Sequence, residues 1–160
     1  MIKKDSSKKI LPLDKLVKKI KKLKKNKKKI IHCHGVFDLL HIGHIKHFEE
    51  AKKNGDILIV SVTTDKHVNK GPNRPFFNTS LRVEAISAVQ FVDYVCVSNF
   101  PTAANIIKTI KPNIYFKGIE YKKEKSDITG MIKHERLAIH SIGGKIKYSN
   151  EATFSSSNLI

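Results

Sequence analysis

The sequence predicts an α/β protein in which five parallel strands form one doubly wound sheet with helices on both faces. Three observations carry this reading. Short β-branched runs alternate with helical patterns from Lys29 to Tyr148. Glycine and proline punctuate the junctions. The run Ile57 to Val62 is apolar almost throughout, as a strand covered on both faces must be.

The elements follow in order. Residues 30–36 read as a strand running into Gly35, and residues 42–54 as a helix closed by Asn54-Gly55. A second strand spans Ile57 to Val62. The polar stretch Lys70-Gly71-Pro72-Asn73-Arg74-Pro75 is irregular because it holds two prolines. Asn78-Thr79-Ser80 offers N-caps for a helix to about Gln90, and Val92 to Val97 gives a third strand. Pro101 suits the first turn of a helix ending before Pro112. Asn113 to Phe116 is a fourth strand, 128–141 a helix stopped by Gly143-Gly144, and Ile146 to Tyr148 a short fifth strand. In such a sheet the ligand lies beyond the carboxyl ends of the strands, where the winding reverses.

Composition narrows the function. The chain has 160 residues, room for one ordinary domain, and 40% of them are hydrophobic, enough for a core. No apolar run is long enough to span a bilayer, and no apolar stretch follows the charged start, so neither a spanning helix nor a secretory signal is expected. Cys33 and Cys96 lie far apart without a CxxC pair, which argues against a disulfide scaffold and fits a reducing cytoplasm.

The net charge of +17 is concentrated at one end, since residues 1–29 hold 14 lysines against two aspartates. Leu13, Leu16, Val17, Ile20 and Leu23 recur at helical spacing there, so residues 1–28 read as a Lys-rich amphipathic helical leader before a domain over 29–160. The lysines read first as a solvated helix face, with nucleic acid or an anionic membrane as the competing partners. No aromatic residue is interleaved for base stacking, so no nucleic-acid partner is expected.

The chemistry concentrates in Gly35-Val36-Phe37-Asp38-Leu39-Leu40-His41-Ile42-Gly43-His44, a strand, a glycine turn and a helix start. Three residues apart, His41 and His44 share one face of the first turn. A helix N-terminus adds free N–H groups and partial positive charge, which favour a phosphate. Gly43 keeps the space between the imidazoles clear. His32, His34, His41, His44 and His47 also raise the possibility of a metal cluster, but no carboxylate or thiolate completes a set, and no protein-bound metal is expected. Phe76-Phe77 reads as a packed loop anchor.

This stretch resembles the HxGH signature of the cytidylyltransferase-like nucleotidyltransferases, and the likeness covers about residues 29–160. Further matching pieces are Thr63-Thr64-Asp65, Asn69-Lys70-Gly71 with Arg74-Pro75, Arg82, Val92-Asp93-Tyr94-Val95, Lys117-Gly118, and Ser155 to Ile160. The likeness is nearest to the adenylyltransferase domain of heptose-phosphate enzymes, with glycerol-3-phosphate cytidylyltransferase as a second relative. It implies a Rossmann-like fold and transfer of AMP or CMP from ATP or CTP, with Mg²⁺, to a phosphorylated small molecule, releasing pyrophosphate. His41 and His44 would then contact the nucleotide phosphates, and Lys70 and Arg82 would neutralise phosphate charge. Gly35, Val36 and Phe37 would line the phosphate turn. Lys117, Gly118 and Glu120 would border base and ribose, and Ser155, Ser156 and Ser157 would hold the triphosphate from a last helix.

The family often carries Gly-Gly-Asp or Gly-Asp-Asp where this chain has Gly118-Ile119-Glu120, and the Arg that precedes the serines in cytidylyl relatives is missing. The second departure favours ATP. The resemblance leaves room for a homodimer, and because the chain breaks off in a helix start, for a fused carbohydrate-kinase domain beyond residue 160. A non-catalytic basic binder on the same fold stays open as an alternative. His-Ile-Gly-His also marks some aminoacyl-tRNA synthetases, but their partner lysine loop is absent here.

Overall fold

The computed structural model describes residues 5–123, 127 and 130–150. The order is α1 (Leu13–Lys25), β1 (Ile30–Gly35), α2 (Ile42–Lys52), β2 (Ile57–Thr63), α3 (Thr79–Ser87), β3 (Tyr94–Ser98), α4 (Ala103–Ile110), β4 (Ile114–Lys117), α5 (Ile132–Ser141) and β5 (Lys145–Tyr148). The five strands are all parallel and lie in the order β3-β2-β1-β4-β5. The direction of winding therefore reverses between β1 and β4, and the carboxyl ends of those two strands frame the crevice of a Rossmann-like sheet.

Alternating side chains divide the core between the two faces. On one face, Ile31, Cys33, Leu58 and Val60 pack against Phe48 and Ala51 of α2 and Val83 and Ile86 of α3. On the other, Ile30, Ile59 and Cys96 meet Leu16 and Ile20 of α1 and Ile106 and Ile110 of α4, while Tyr115 packs with Ala138 and Ile139 of α5. Both thiols are buried and unpaired.

The segment read from sequence as a leader belongs to this core. Ile10 forms a parallel bridge with Val95 at the sheet edge, Leu11 N–H donates to the Val95 carbonyl at 3.0 Å, and Leu16 is fully buried. The apolar stripe of α1 explains the difference: left in water, its leucines and isoleucine would each forgo about 1.5–3 kcal/mol of burial. The lysines occupy what remains of the helix surface. Among the described residues, no helix is long and apolar enough to cross a membrane.

Candidate active site

β1 delivers the chain to the crevice and α2 carries it away, so the turn between them must reverse direction in a few residues. Phe37 and Leu39 do this with φ values of 51° and 52°, the left-handed region that side chains rarely enter. Space is tight at Gly35, where a Cβ would stand 3.0 Å from Cζ of the Phe37 ring and press it aside. That ring in turn lies edge-on to His44 and to Phe48, with centroids 5.6 and 5.1 Å away.

His41 and His44 cap α2 reciprocally. Gly43 N–H donates to His41 Nδ1 at 3.1 Å, and His41 N–H donates to His44 Nδ1 at 3.3 Å. Because each Nδ1 accepts, each neutral ring must carry its proton on Nε2. Burial, with the nearby His41, His47 and Lys70 charges, lowers the His44 pKa to about 4, so this ring is neutral near pH 7. The rings stack with centroids 4.0 Å apart. His41 Nε2 is buried and meets no partner among the described residues. A buried N–H donor without an acceptor is costly, and a phosphate oxygen would satisfy it.

The loop after β2 brings Lys70 to the same corner. Lys70 is exposed, and its charge is one of those depressing the His44 pKa. Protein packed around part of its stem and the Arg74 charge lower its own pKa, with Asp38 acting the other way. Asp38 ties this loop down: its buried carboxylate accepts from Arg74 Nη1 at 3.0 Å, Phe76 N–H at 2.7 Å and Phe77 N–H at 3.1 Å. These bonds hold its own pKa down against burial. The side chains of Phe76 and Phe77 are 52% and 46% exposed, so they are not the packed anchors expected from sequence. Their backbone amides, held by Asp38, do the anchoring.

Arg82 departs from its expected place at a phosphate. It is 1% exposed, and its guanidinium donates to the carbonyls of Phe77 (2.9 Å), Val36 (2.6 Å) and Thr63 (2.9 Å) and to Asp65 Oδ1 at 2.7 Å. Five donors in a rigid fork suit such a junction, and here they face protein acceptors in several directions. Arg82 joins the turn after β1 to the end of β2 and the start of α3. It reaches the site through the Val36 carbonyl.

At the end of β4, Lys117 pairs with Glu135 of α5 at 3.2 Å and lies 4.1 Å from the centroid of the Tyr121 ring. The Glu120 carboxylate folds over the position a Cβ would take at Gly118, so a side chain there would displace Glu120. Ser149 clamps the ends of β4 and β5, its N–H donating to the Lys117 carbonyl and its Oγ accepting from Ile119 N–H, both at 2.9 Å. Beside this end of the sheet, His32 and His34 flank Ser61 Oγ, each at 2.7 Å. Burial lowers both their pKa values, that of His34 to about 3, so they are neutral parts of the sheet interior. Among the described residues no three His, Cys, Asp or Glu side chains stand together as a metal-binding set. Ser155, Ser156 and Ser157 lie outside the described residues.

Residues 32–160 match the cytidylyltransferase-like family model. The chain belongs to the cytidylyltransferase-like family. That family is one of nucleotidyltransferases. It is 36% identical over 140 residues to the bifunctional protein HldE of Campylobacter fetus subsp. fetus, covering 86% of this chain and 30% of that protein. It is 37% identical over 154 residues to HldE of Desulfatibacillum aliphaticivorans, covering 95% of this chain and again 30% of the relative. The chain thus spans about a third of the length of these curated relatives. Among solved structures, a lipopolysaccharide core biosynthesis protein of Thermoplasma volcanium superposes with a TM-score of 0.63 at 26% identity, over 80% of this chain and 99% of that one. A pantoate-beta-alanine ligase of Francisella tularensis shares the fold, with a TM-score of 0.64 at 20% identity over 94% and 72% of the two chains.

In this cytidylyltransferase-like domain the structure brings His41, His44, Gly43, Lys70 and the Gly35-Val36-Phe37 turn to one corner, with Lys117 and Gly118 across the switch point. Asp38 and Arg74 stood within the matching pieces of the sequence, but neither was given a role. The available signal was an acidic residue inside the strand-to-helix turn and an arginine beside Pro75, two charges at places that fold against each other.

Proposed function

We propose that this domain transfers AMP from Mg²⁺-ATP to a phosphorylated sugar and releases pyrophosphate. The observation that carries the reading is the reciprocal cap, which leaves the Nε2–H of His41 buried and without an acceptor at a helix N-terminus. An oxygen of the acceptor phosphate attacks the α-phosphorus in line. The bond from that phosphorus to the bridging oxygen of the β-phosphate breaks, and the electron pair leaves on pyrophosphate. The attacking oxygen is already anionic, so no general base is required. His41 and His44 donate to phosphate oxygens through Nε2–H, and Lys70 offsets charge building on the phosphates.

Mg²⁺ enters as part of the nucleotide substrate, since it keeps several waters and binds mainly through phosphates. Lys117, Gly118 and Glu120 border the base and ribose, and Ser155 to Ser157 hold the triphosphate in this proposal. The likeness to HldE and the missing Arg before the serines support ATP over CTP. A cytoplasmic enzyme fused to a carbohydrate kinase fits the same reading, as does a homodimer.

A pyrophosphate-release screen pairs ATP or CTP with sugar phosphates and glycerol phosphate. Turnover with ATP and a sugar phosphate is expected. Turnover confined to CTP and glycerol phosphate refutes the assignment in favour of a glycerol-3-phosphate-type cytidylyltransferase.

A further inference from the structure

We propose that the lysine face of α1 docks on an anionic lipid bilayer. This helix is fixed: Leu16 and Ile20 are buried in the sheet core, so its charges stand in one rigid array. Lys15, Lys18, Lys22 and Lys25 all lie exposed on the side opposite that stripe. Asp14 is the one acidic residue on the helix. Among the described residues, none of these four lysines has a carboxylate within ion-pair distance; the pairs formed involve Lys52, Lys53, Arg74, Arg82 and Lys117.

The array bears repulsion that only Asp14, four residues before Lys18, offsets. Lys15, Lys18, Lys22 and Lys25 follow one another at spacings of three and four residues, where like charges on a helix repel. At the end of α1, Lys24 lies apart from this array and turns towards α4, where its Nζ donates to the Lys111 carbonyl. Burial and the Lys111 charge together lower the Lys24 pKa. An anionic surface relieves this repulsion at every site at once.

The chemistry selects a bilayer over nucleic acid. The face has lysines and no arginine, so it offers point charges without the planar forks that read bases or clamp phosphates bidentately. No aromatic side chain lies on α1 or on residues 26–29, so there is no platform for base stacking. With its apolar stripe spent on the core, the helix has nothing to insert into acyl chains. The contact is therefore peripheral, reversible and salt-sensitive.

The test is co-sedimentation of the full chain with vesicles of equal parts phosphatidylcholine and phosphatidylglycerol, against vesicles of phosphatidylcholine alone. Binding is expected only to the anionic vesicles at low salt, with loss at about 0.5 M NaCl as screening shortens. A variant with Lys15→Gln, Lys18→Gln, Lys22→Gln and Lys25→Gln keeps a good helix former at each position and leaves the buried stripe intact. It should keep its urea midpoint and pyrophosphate release while its partitioning falls at least about tenfold. Equal partitioning to both vesicle types, or unchanged partitioning of the variant, overturns the proposal. Tighter binding to a short RNA duplex than to the anionic vesicles overturns it in favour of a nucleic-acid partner.

Discussion

Replacing Arg82 by methionine separates a structural brace from a phosphate ligand. The guanidinium makes three bonds to backbone carbonyls and one to the Asp65 carboxylate, all from a side chain that is 1% exposed. Bonds to a charged group contribute about 1.5–3 kcal/mol each, and removing one partner of a buried pair costs about 3–5 kcal/mol. The terms do not add, because Asp65 is 45% exposed and its carboxylate rehydrates once freed. A loss of about 3–5 kcal/mol is therefore expected for Arg82→Met. With a urea slope near 2 kcal/mol per molar, that moves the unfolding midpoint down by about 1.5–2.5 M. Arg82→Lys should fall between the two, since one ammonium cannot reach acceptors on three segments together. Urea melts followed by circular dichroism give the midpoints, and pyrophosphate release at temperatures where each variant is folded gives turnover. A methionine variant with a midpoint within about 0.5 M of wild type and turnover reduced at least a hundredfold would refute the brace and return Arg82 to the phosphates.

Other expectations follow from the same geometry. His41→Ala or His44→Ala should each lower turnover about 10²–10³-fold with the fold retained, and single-turnover kinetics with saturating nucleotide checks this. Leu16→Ala should destabilise the protein by about 2–5 kcal/mol in a urea melt, and removing residues 1–28 should cost more, because α1 closes one face of the sheet. Acid should destabilise the fold well before its carboxylates titrate. His34, His44 and His47 are held neutral, with pKa values lowered to about 3, 4 and 4. The unfolded chain therefore binds more protons below its own histidine pKa, near 6.5. Their contribution is complete above about pH 6.5 and is lost as pH falls towards 4, at up to about 1.4 kcal/mol per pH unit for each group. Urea midpoints between pH 7 and pH 4.5 measure this loss.

The strands were legible because a buried parallel strand has little choice of composition, and Ile57 to Val62 shows it. At the HxGH corner the spacing made legible that two imidazoles share the first turn of a helix after a glycine turn, while their role at a phosphate came largely from the resemblance to the family. Arg82 was misplaced because nothing in a helical turn reveals that three carbonyls from distant segments converge on it. The bracing role of Asp38 went unread for the same reason, its partners lying some forty residues away on the other side of a loop. The N-terminal segment was misjudged by weight of charge: the lysines dominate its composition, whereas Leu16 and Ile20 decide where it sits. Phe76 and Phe77 show the reverse error, since aromatic character suggested burial where backbone amides, invisible in composition, make the attachment.

The reciprocal cap on α2 has a consequence for how the corner can change over time. His41 and His44 each accept one of the two capping bonds and their rings stack 4.0 Å apart, so losing either one removes a bond from the end of the helix and loosens the other ring. Two single replacements should therefore cost much less in combination than the sum of their separate effects, and a double-mutant cycle should show strong coupling. A lineage that exchanges one imidazole gives up a capping bond and the stacking partner of the other ring in the same step. Drift is therefore confined to surrounding positions, such as Ile42, which is 58% exposed and free to vary while the two rings stay together.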